Sequence, residues 1–272
     1  SMHKIVRSMQ QWPKCKKEQA LLAEQLAVKF QHVPKKYEFR QLEERDRASI
    51  VDMMPEFVKA EMLSIALGFP SATMVGVFEE ILSISLNDPK DYWLSKVVVD
   101  KETGKNLGFF LRYYCSKDLA KNTTGEALHQ RKDDRKIEEI LRHEMDVVQD
   151  KFWELYPNEQ SYIKDEVWYL KPELRGTGVS QTFMQYGLDH KKIREGIKTR
   201  YFTGVATTKR TVANFVKTGY TFPYEGAPYI TNVQGEKVPL PGGPITLVIN
   251  DAEKNDPLNV KPYWEKMGLV GM

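Results

Sequence analysis

A glycine-rich stretch follows a short apolar run beyond the middle of the chain. The residues "YLKPELRGTGVSQTFMQYGL" span 169–188 and pass from strand-like spacing, through two glycines, into helical spacing. A strand that ends in glycines and opens a helix gathers unpaired backbone N–H groups at the positive end of a helix dipole. Gly176 and Gly178 let the backbone come close to a ligand, and the hydroxyl of Ser180 adds a donor. The stretch therefore predicts an anion site suited to phosphate.

Two familiar phosphate loops do not fit this stretch. A P-loop requires Lys and then Ser or Thr after the last glycine, and a dinucleotide fingerprint requires a third glycine near Gln181; this chain has neither. A tight turn with a glycine at a helix end, without any ligand, is the alternative. The stretch resembles instead the R/Q-x-x-G-x-G/A loop of the GNAT acetyltransferase superfamily, carried here by Arg175, Gly176, Thr177, Gly178, Val179 and Ser180.

This resemblance implies that the loop binds the pyrophosphate of acetyl-CoA, the co-substrate of that superfamily. Ser180 departs from the Gly or Ala at the last position of the motif, but it is small enough to keep the assignment. By the same resemblance, the backbone of Leu170 contacts the pantetheine arm; the alternative is an ordinary core strand residue. Lys217, near the end of a later helix, is a candidate for contact with a CoA phosphate or a solvated lysine.

A second segment resembles the arylalkylamine N-acetyltransferase branch, typified by the insect dopamine and serotonin enzymes. "FVKAEMLSIALG" stands where those enzymes carry Asp-Glu-Pro-Leu, with Glu61 and Leu63 matching and Ala60 and Met62 departing. Acetyl transfer requires a neutral amine, so a carboxylate must take the proton of the ammonium form, directly or through a water. The resemblance implies Glu61 as this general base. Its alternative is a solvated glutamate on a helix.

A third segment, "ATTKRTVANFVKTGY", resembles the hydroxyl-rich turn of the same branch. Thr207 and Thr211 stand at the places of two serines that are implicated in catalysis there. The two hydroxyls are candidates to orient the amine or to pass a proton, while a helix N-cap and a strand residue are the structural alternatives. Many superfamily members place a Tyr in the following helix as an acid toward the thiolate. This chain has Phe215 at that place, so the role is absent or filled elsewhere.

Other residues that bear chemistry have weaker patterns. His143 precedes Glu144 in "RHEMD", but no second His follows at 147, so a zinc site is not expected. Tyr224 and Tyr229 are expected in a loop that, in the resembling fold, can border an acceptor tunnel. An aromatic lining there would suit an arylalkylamine.

These motifs lie within alternating strand and helix segments in the order β-α-α-β-β-α-β-α-β-α-β-β. We expect helices at 43–67, broken near Pro55, at about 126–156, and from the glycine-rich stretch to about residue 195. From residue 37 to about 250 this order is that of the GNAT fold. That fold is an α/β architecture in which helices flank a central, mixed, mostly antiparallel sheet.

We expect the chain to have three parts. Residues 1–36 are expected to form a helical extension outside the core, beginning with a two-residue scar of tag removal. Residues 37–250 are expected to form the N-acetyltransferase domain, and residues 251–272 a C-terminal tail.

Composition excludes several classes of partner. The 40 basic and 37 acidic residues are interspersed and give a net charge of +3, so no basic face suits nucleic acid. No apolar run approaches the ~18 residues that span a bilayer, and no signal peptide is evident. We therefore expect a cytoplasmic protein with no membrane or nucleic-acid partner. The two cysteines, Cys15 and Cys115, indicate neither a disulfide framework nor a thiolate metal site.

The sequence therefore predicts an enzyme that transfers an acetyl group from acetyl-CoA to a small primary amine, of the arylalkylamine type. The amine would attack the thioester directly, with Glu61 as base and without a metal. Polyamines or amino acids as acceptors, and longer acyl groups, are alternatives within enzymes. Because Ala60, Met62 and Phe215 depart from the family pattern, a catalytically silent acyl-CoA-binding protein is the alternative outside enzymes.

Overall fold

The computed structural model describes residues 15–87, 94–117, 142–186, 196–197, 199–254 and 260–269. Its strands are β1 (Tyr37–Gln41), β2 (Lys96–Asp100), β3 (Asn106–Ser116), β4 (Ser161–Leu170), β5 (Tyr201–Ala206), β6 (Thr221–Glu225), β7 (Tyr229–Thr231), β8 (Lys237–Pro239) and β9 (Thr246–Asp251). A seven-stranded sheet has the order β1-β2-β3-β4-β5-β9-β6, and β7 pairs with β8 in a separate hairpin.

The sheet is mixed and mostly antiparallel, as the sequence predicts. Among the described strands, only β4 and β5 pair in parallel, at three positions, the last of which joins Asp165 to Gly204. Beyond Asp165, β4 continues beside β3 as far as Leu170, but no described strand pairs with its other edge. The register of β3 and β4 shifts at the same level, between Leu111 and Arg112. The sheet therefore opens between β4 and β5.

Helices cover both faces of this sheet. They are α1 (Lys16–Lys29), α2 (His32–Lys36), α3 (Arg47–Ala60), α4 (Met62–Leu67), α5 (Ser71–Asn87), α6 (Val147–Leu155), α7 (Val179–Tyr186), α8 (Lys209–Val216) and α9 (Lys261–Lys266). Apolar residues of α3 to α6 share one core cluster with the sheet, and those of α1, α7, α8 and α9 form two clusters on the opposite face.

The segment 43–67 differs from its prediction. Pro55 lies inside α3 and does not end it. The helix continues because its buried stripe packs into the core; that stripe comprises Ile50, Met53, Met54, Phe57 and Val58. The break falls instead at Glu61, whose backbone is extended (φ −81°, ψ 115°) between α3 and α4.

Two other helix predictions are only partly covered by the described residues. The helix expected at 126–156 is described from residue 142, as a π-helical turn, Arg142–Asp146, followed by α6. Residues 118–141 lie outside the described residues. The helix after the glycine-rich stretch is described as α7, and residues 187–195 also lie outside.

The N-terminal helix is not separate from the core, although its spacing predicted an appendage. Ala23, Leu26 and Ala27 of α1 are buried in one cluster with Phe183 of α7 and Trp264 of α9. The indole N–H of Trp264 donates to the carbonyl oxygen of Ala27 at 2.9 Å. The chain near both ends of the described region therefore packs together on one face of the sheet. The division of the chain into three parts stays a prediction.

A buried polar cluster lies where β4 parts from β5. The Nε–H of Arg112 donates to Oδ1 of Asp165 at 2.9 Å, and the hydroxyl of Tyr220 donates to Oδ2 at 2.6 Å. Arg112 is fully buried, and its guanidinium lies 4.2 Å from the ring centroid of Phe110. Burial raises the pKa of the Tyr220 phenol well above its ordinary value, so the hydroxyl remains a donor. The cluster joins β3, β4 and the segment after α8.

We predict that Arg112→Ala lowers the free energy of unfolding by about 3–5 kcal/mol, because it leaves the carboxylate of Asp165 buried without its cation. Denaturant unfolding followed by circular dichroism measures the loss. Arg45→Ala is the matched control, since Arg45 pairs with Glu43 at the surface, where its side chain is 66% exposed. Equal small losses for both variants would contradict the structural role of the cluster.

Candidate active site

A cleft of about 610 Å³ opens where β4 and β5 diverge. Residues 165–170 of β4 line it on one side, and the turn from β5 into α8 lines it on the other. The glycine-rich stretch lies among its lining residues, and so do Glu61 and the first turn of α4. Three segments that are far apart in sequence therefore meet around one cavity.

The glycine-rich loop has the backbone geometry that its sequence predicted. A 3-10 turn, Pro172–Leu174, precedes it, and α7 begins at Val179 directly after it. Gly176 and Gly178 have positive φ angles of 73° and 84°, which favour glycine. Among the described residues, the amides of Gly176, Gly178 and Ser180 have no hydrogen-bond acceptor. These amides lie at a helix start and fit an anion.

The donors and charges around the cleft fit a phosphorylated ligand with an amide-bearing arm. Cationic side chains are among its lining residues: Lys29, Lys171, Arg175, Arg210 and Lys217. The indole N–H of Trp168 is buried in the lining and has no hydrogen-bond partner in the part of the chain that the structure describes. Leu170 also lies in the lining, at the end of the β4 edge that no described strand pairs. Its backbone is therefore available to an extended ligand.

Glu61 caps α4 and at the same time faces the cleft. Its Oε1 accepts from the amide of Leu63 at 3.1 Å and from the Thr207 hydroxyl at 2.8 Å. Its Oε2 accepts from the amide of Ser64 at 2.6 Å and from the hydroxyl of Ser64 at 2.9 Å. A carboxylate has about four acceptor positions, so these donors fill them. A proton can reach Glu61 only through one of the hydroxyls or after one of them turns away.

The structure separates the two threonines that the sequence analysis treated alike. Thr207 contacts Glu61, although the two residues are 146 positions apart in the chain. Thr211 lies one turn inside α8, where its hydroxyl is 2.9 Å from that of Thr208. Thr208 is the N-cap of α8 and accepts from the amide of Thr211 at 3.0 Å. The spacing of Thr208 and Thr211 is that of a helix cap, a signal the sequence analysis did not use.

One wall of the cleft is apolar. It comes from α3, α5, the turn before α6, and β4, and comprises Phe57, Met74, Val77, Phe78, Ile81, Met145 and Val167. The rings of Phe57 and Phe78 meet edge to face, with centroids 4.7 Å apart. The sequence did not indicate this wall, because helical spacing alone does not tell which apolar residues border a cavity.

Charged groups in the β4 lining are paired. Glu166 lies 2.7 Å from the ammonium of Lys164, and both side chains are nearly fully buried. Asp165 is held by Arg112 and Tyr220. Next to them, burial raises the pKa of the Tyr169 phenol, which packs against Phe57. Acidic side chains on this strand are therefore already engaged within the protein.

Phe215, Tyr224 and Tyr229, which the sequence analysis named, differ in whether they line the cleft. Phe215 is buried between Trp168 and Tyr220 and adds an apolar surface to the cleft. Tyr224 and Tyr229 are not in a loop, because they belong to β6 and β7. Neither lies among the cleft-lining residues. Tyr229 is 42% exposed, with the ammonium of Lys237 above its ring.

Comparison with solved structures shows that the fold of this chain is similar to that of several acetyltransferases. Arylalkylamine N-acetyltransferase 2 from Aedes aegypti aligns with a TM-score of 0.58 at 15% identity, covering 79% of this chain and 98% of that one. The polyamine N-acetyltransferase of Drosophila melanogaster, which forms N-acetylagmatine, aligns with a TM-score of 0.57 at 12% identity, covering 79% and 99%. The fold of this chain is therefore the GNAT acetyltransferase fold.

A third similar structure is the C-terminal condensation domain of Ebony in complex with β-alanyl-dopamine. It aligns with a TM-score of 0.56 at 13% identity, and the alignment covers 79% of this chain and 99% of that one. Neither the protein-family models nor the curated protein sequences contain a match. The likeness is thus one of fold, and the chemistry must be argued from the residues of this cleft.

Among the described residues, no three His, Cys, Asp or Glu side chains are grouped so as to hold a metal ion. None of the helices in that part of the chain combines the length and apolar character needed to cross a membrane.

Proposed function

We propose that this protein is an acetyl-CoA-dependent N-acetyltransferase that acts on a small primary amine of the arylalkylamine type. One observation carries the proposal: the anion-binding loop, the Glu61–Thr207 pair and the apolar wall all line a single cleft. The GNAT fold and the acetyltransferases that share it support this choice of reaction.

The co-substrate supplies the acetyl group as a reactive thioester. In this proposal, the free amides of Gly176, Gly178 and Ser180 bind its pyrophosphate, and Arg175 and Lys217 add positive charge nearby. The open edge of β4 that ends at Leu170 holds the pantetheine arm by its backbone groups. Thr177 shapes the loop, since its hydroxyl donates to the carbonyl oxygen of Leu174 at 2.6 Å. Val179 is fully buried and anchors the start of α7.

Glu61 and Thr207 form the proposed proton path for the amine. The hydroxyl oxygen of Thr207 accepts a proton from the ammonium while its own proton passes to Oε1 of Glu61. The neutral amine then has a free electron pair and attacks the thioester carbon. The filled acceptor positions of Glu61 favour this relay over direct transfer. Thr211 acts through Thr208, whose position at the start of α8 it supports.

The lining favours an apolar acceptor over a polyamine. The apolar wall of the cleft consists of phenylalanine, methionine and aliphatic side chains, which suit an aromatic ring. A second ammonium group would need an acidic partner, but Glu166 is paired with Lys164 and Asp165 with Arg112. Taking either carboxylate from its buried partner would leave an uncompensated charge.

The test of this function is an amine panel with acetyl-CoA and mass analysis of the products. We expect acetylated phenylethylamines and indolylethylamines, and far less product from putrescine, spermidine or agmatine. Preferential acetylation of the polyamines would overturn the acceptor class. Binding of CoA without turnover of any amine would favour a catalytically silent acyl-CoA-binding protein. We consider this alternative because donors of the protein already occupy the acceptor positions of the Glu61 carboxylate.

We predict that Glu61→Gln lowers kcat by about 10²–10⁴-fold, the usual contribution of a general base. Glutamine keeps one oxygen that can accept from a backbone amide of α4, but its NH2 group cannot accept as the second carboxylate oxygen does, so circular dichroism must show that the variant keeps its fold. The loss should shrink as the pH approaches the pKa of the amine, because the substrate then arrives neutral. The measurement is kcat/KM from pH 6 to 10 together with CoA affinity, which should stay unchanged. Activity within about twofold of wild type across this range would remove Glu61 from the mechanism.

We further predict that Thr207→Val lowers kcat by about 10²-fold or more, since valine keeps the shape but removes the relaying hydroxyl. Thr207→Ser should retain most of the activity. Thr211→Val is the comparison variant and should lose less, because the Thr208 cap on the backbone amide remains. Steady-state kinetics at saturating acetyl-CoA measures all three. Equal activity of the Ser and Val variants at position 207 would leave that threonine a purely structural role.

A further inference from the structure

The glycine-rich loop contacts Phe30, which follows α1, and His32, the first residue of α2. Nε2 of His32 lies 2.7 Å from the carbonyl oxygen of Thr177. The ring of Phe30 packs so closely on Gly178 that a Cβ atom there would overlap it. Lys29 and Phe30 also line the cleft, next to the loop. This contact comes from residues that the sequence analysis assigned to an extension outside the acetyltransferase domain.

The hydrogen bond of His32 determines which way one peptide of the loop faces. Because Thr177 offers a carbonyl oxygen, Nε2 of His32 must be the donor. In a planar trans peptide, the C=O and N–H groups point in opposite directions. Holding the Thr177 carbonyl toward His32 therefore turns the amide of Gly178 away from it. Gly178 lines the cleft and His32 does not, so that amide is directed to the cleft side.

Gly178, which forms one end of this peptide, and Gly176, which precedes Thr177, make such a restraint useful. Gly176 and Gly178 both have positive φ angles, and glycine adopts alternative backbone conformations at little cost. A flipped peptide would present a carbonyl oxygen to the anion in place of an N–H. Phe30 opposes this movement by packing on Gly178, and it is itself 8% exposed in the cluster that contains Trp264.

We infer that His32 and Phe30 are positioning residues of the acyl-CoA site, which orient the amide of Gly178 toward the pyrophosphate. The N-terminal helical segment is then part of the co-substrate site and not an appendage to it. The inference rests on the proposed function, because it requires a pyrophosphate at this loop.

The test measures CoA binding by isothermal titration calorimetry in the absence of any amine. His32→Ala removes the donor from an exposed side chain, so the fold should persist. We expect CoA to bind about three- to tenfold more weakly, as for the loss of one hydrogen bond. The affinity of His32→Ala for dephospho-CoA should fall by the same factor, since this ligand keeps the pyrophosphate. His32→Gln should recover most of the affinity, because its side-chain amide can donate to the same carbonyl. Lys35→Gln, at an exposed site on the same short helix, is the control that should bind normally.

Each outcome decides the inference. Weakened binding for His32→Ala with recovery by His32→Gln supports the positioning role. The positioning role is overturned if His32→Ala binds CoA within twofold of wild type, or if His32→Ala and His32→Gln lose equal affinity for CoA. Either result leaves the proposed function intact. If the wild-type protein does not bind CoA, the proposed function fails and this inference fails with it.

Discussion

The parting of β4 from β5 after Asp165 is the constraint on which the site depends. Two parallel strands that stayed paired would leave no cavity and no free strand edge. The divergence coincides with a buried ion pair, Arg112 with Asp165, and with the register shift between β3 and β4. Removing these charges from water is costly unless they remain paired. The cluster therefore links the stability of the sheet to the opening that admits a ligand.

Helix starts supply several of the polar groups around that opening. The first turn of α7 provides amides that have no acceptor among the described residues, the carboxylate of Glu61 caps α4, and Thr208 caps α8. Helix starts expose unpaired N–H groups, which attract negative charge. At α7 the negative group would come from the ligand, whereas at α4 it comes from the protein. In the proposed function, helix starts would thus both bind the co-substrate and orient the base.

Local sequence was sufficient to predict backbone conformations that depend mainly on neighbouring residues in the chain. The glycines of the loop need positive φ angles, and the apolar run before it needs a strand, so the motif predicted its own conformation. The alternation of strands and helices predicted the order of elements, and the resemblance of that order to the GNAT fold implied the mixed sheet. The break at Pro55 was predicted wrongly, because the burial of Phe57 and its neighbours outweighs the hydrogen bond that proline removes.

Long-range packing decided everything that depends on residues distant in the chain. No local pattern indicates that Thr207 reaches Glu61 while Thr211 does not, since only the meeting of β5 with α4 brings the first pair together. Nor does helical spacing tell that α1 packs against α7, because spacing does not specify the partner of a helix face. Sequence alone therefore determined the loop, the elements and the candidate residue types. Tertiary structure decided which of those residues face one another across the cleft, since burial is a property of the assembled layers.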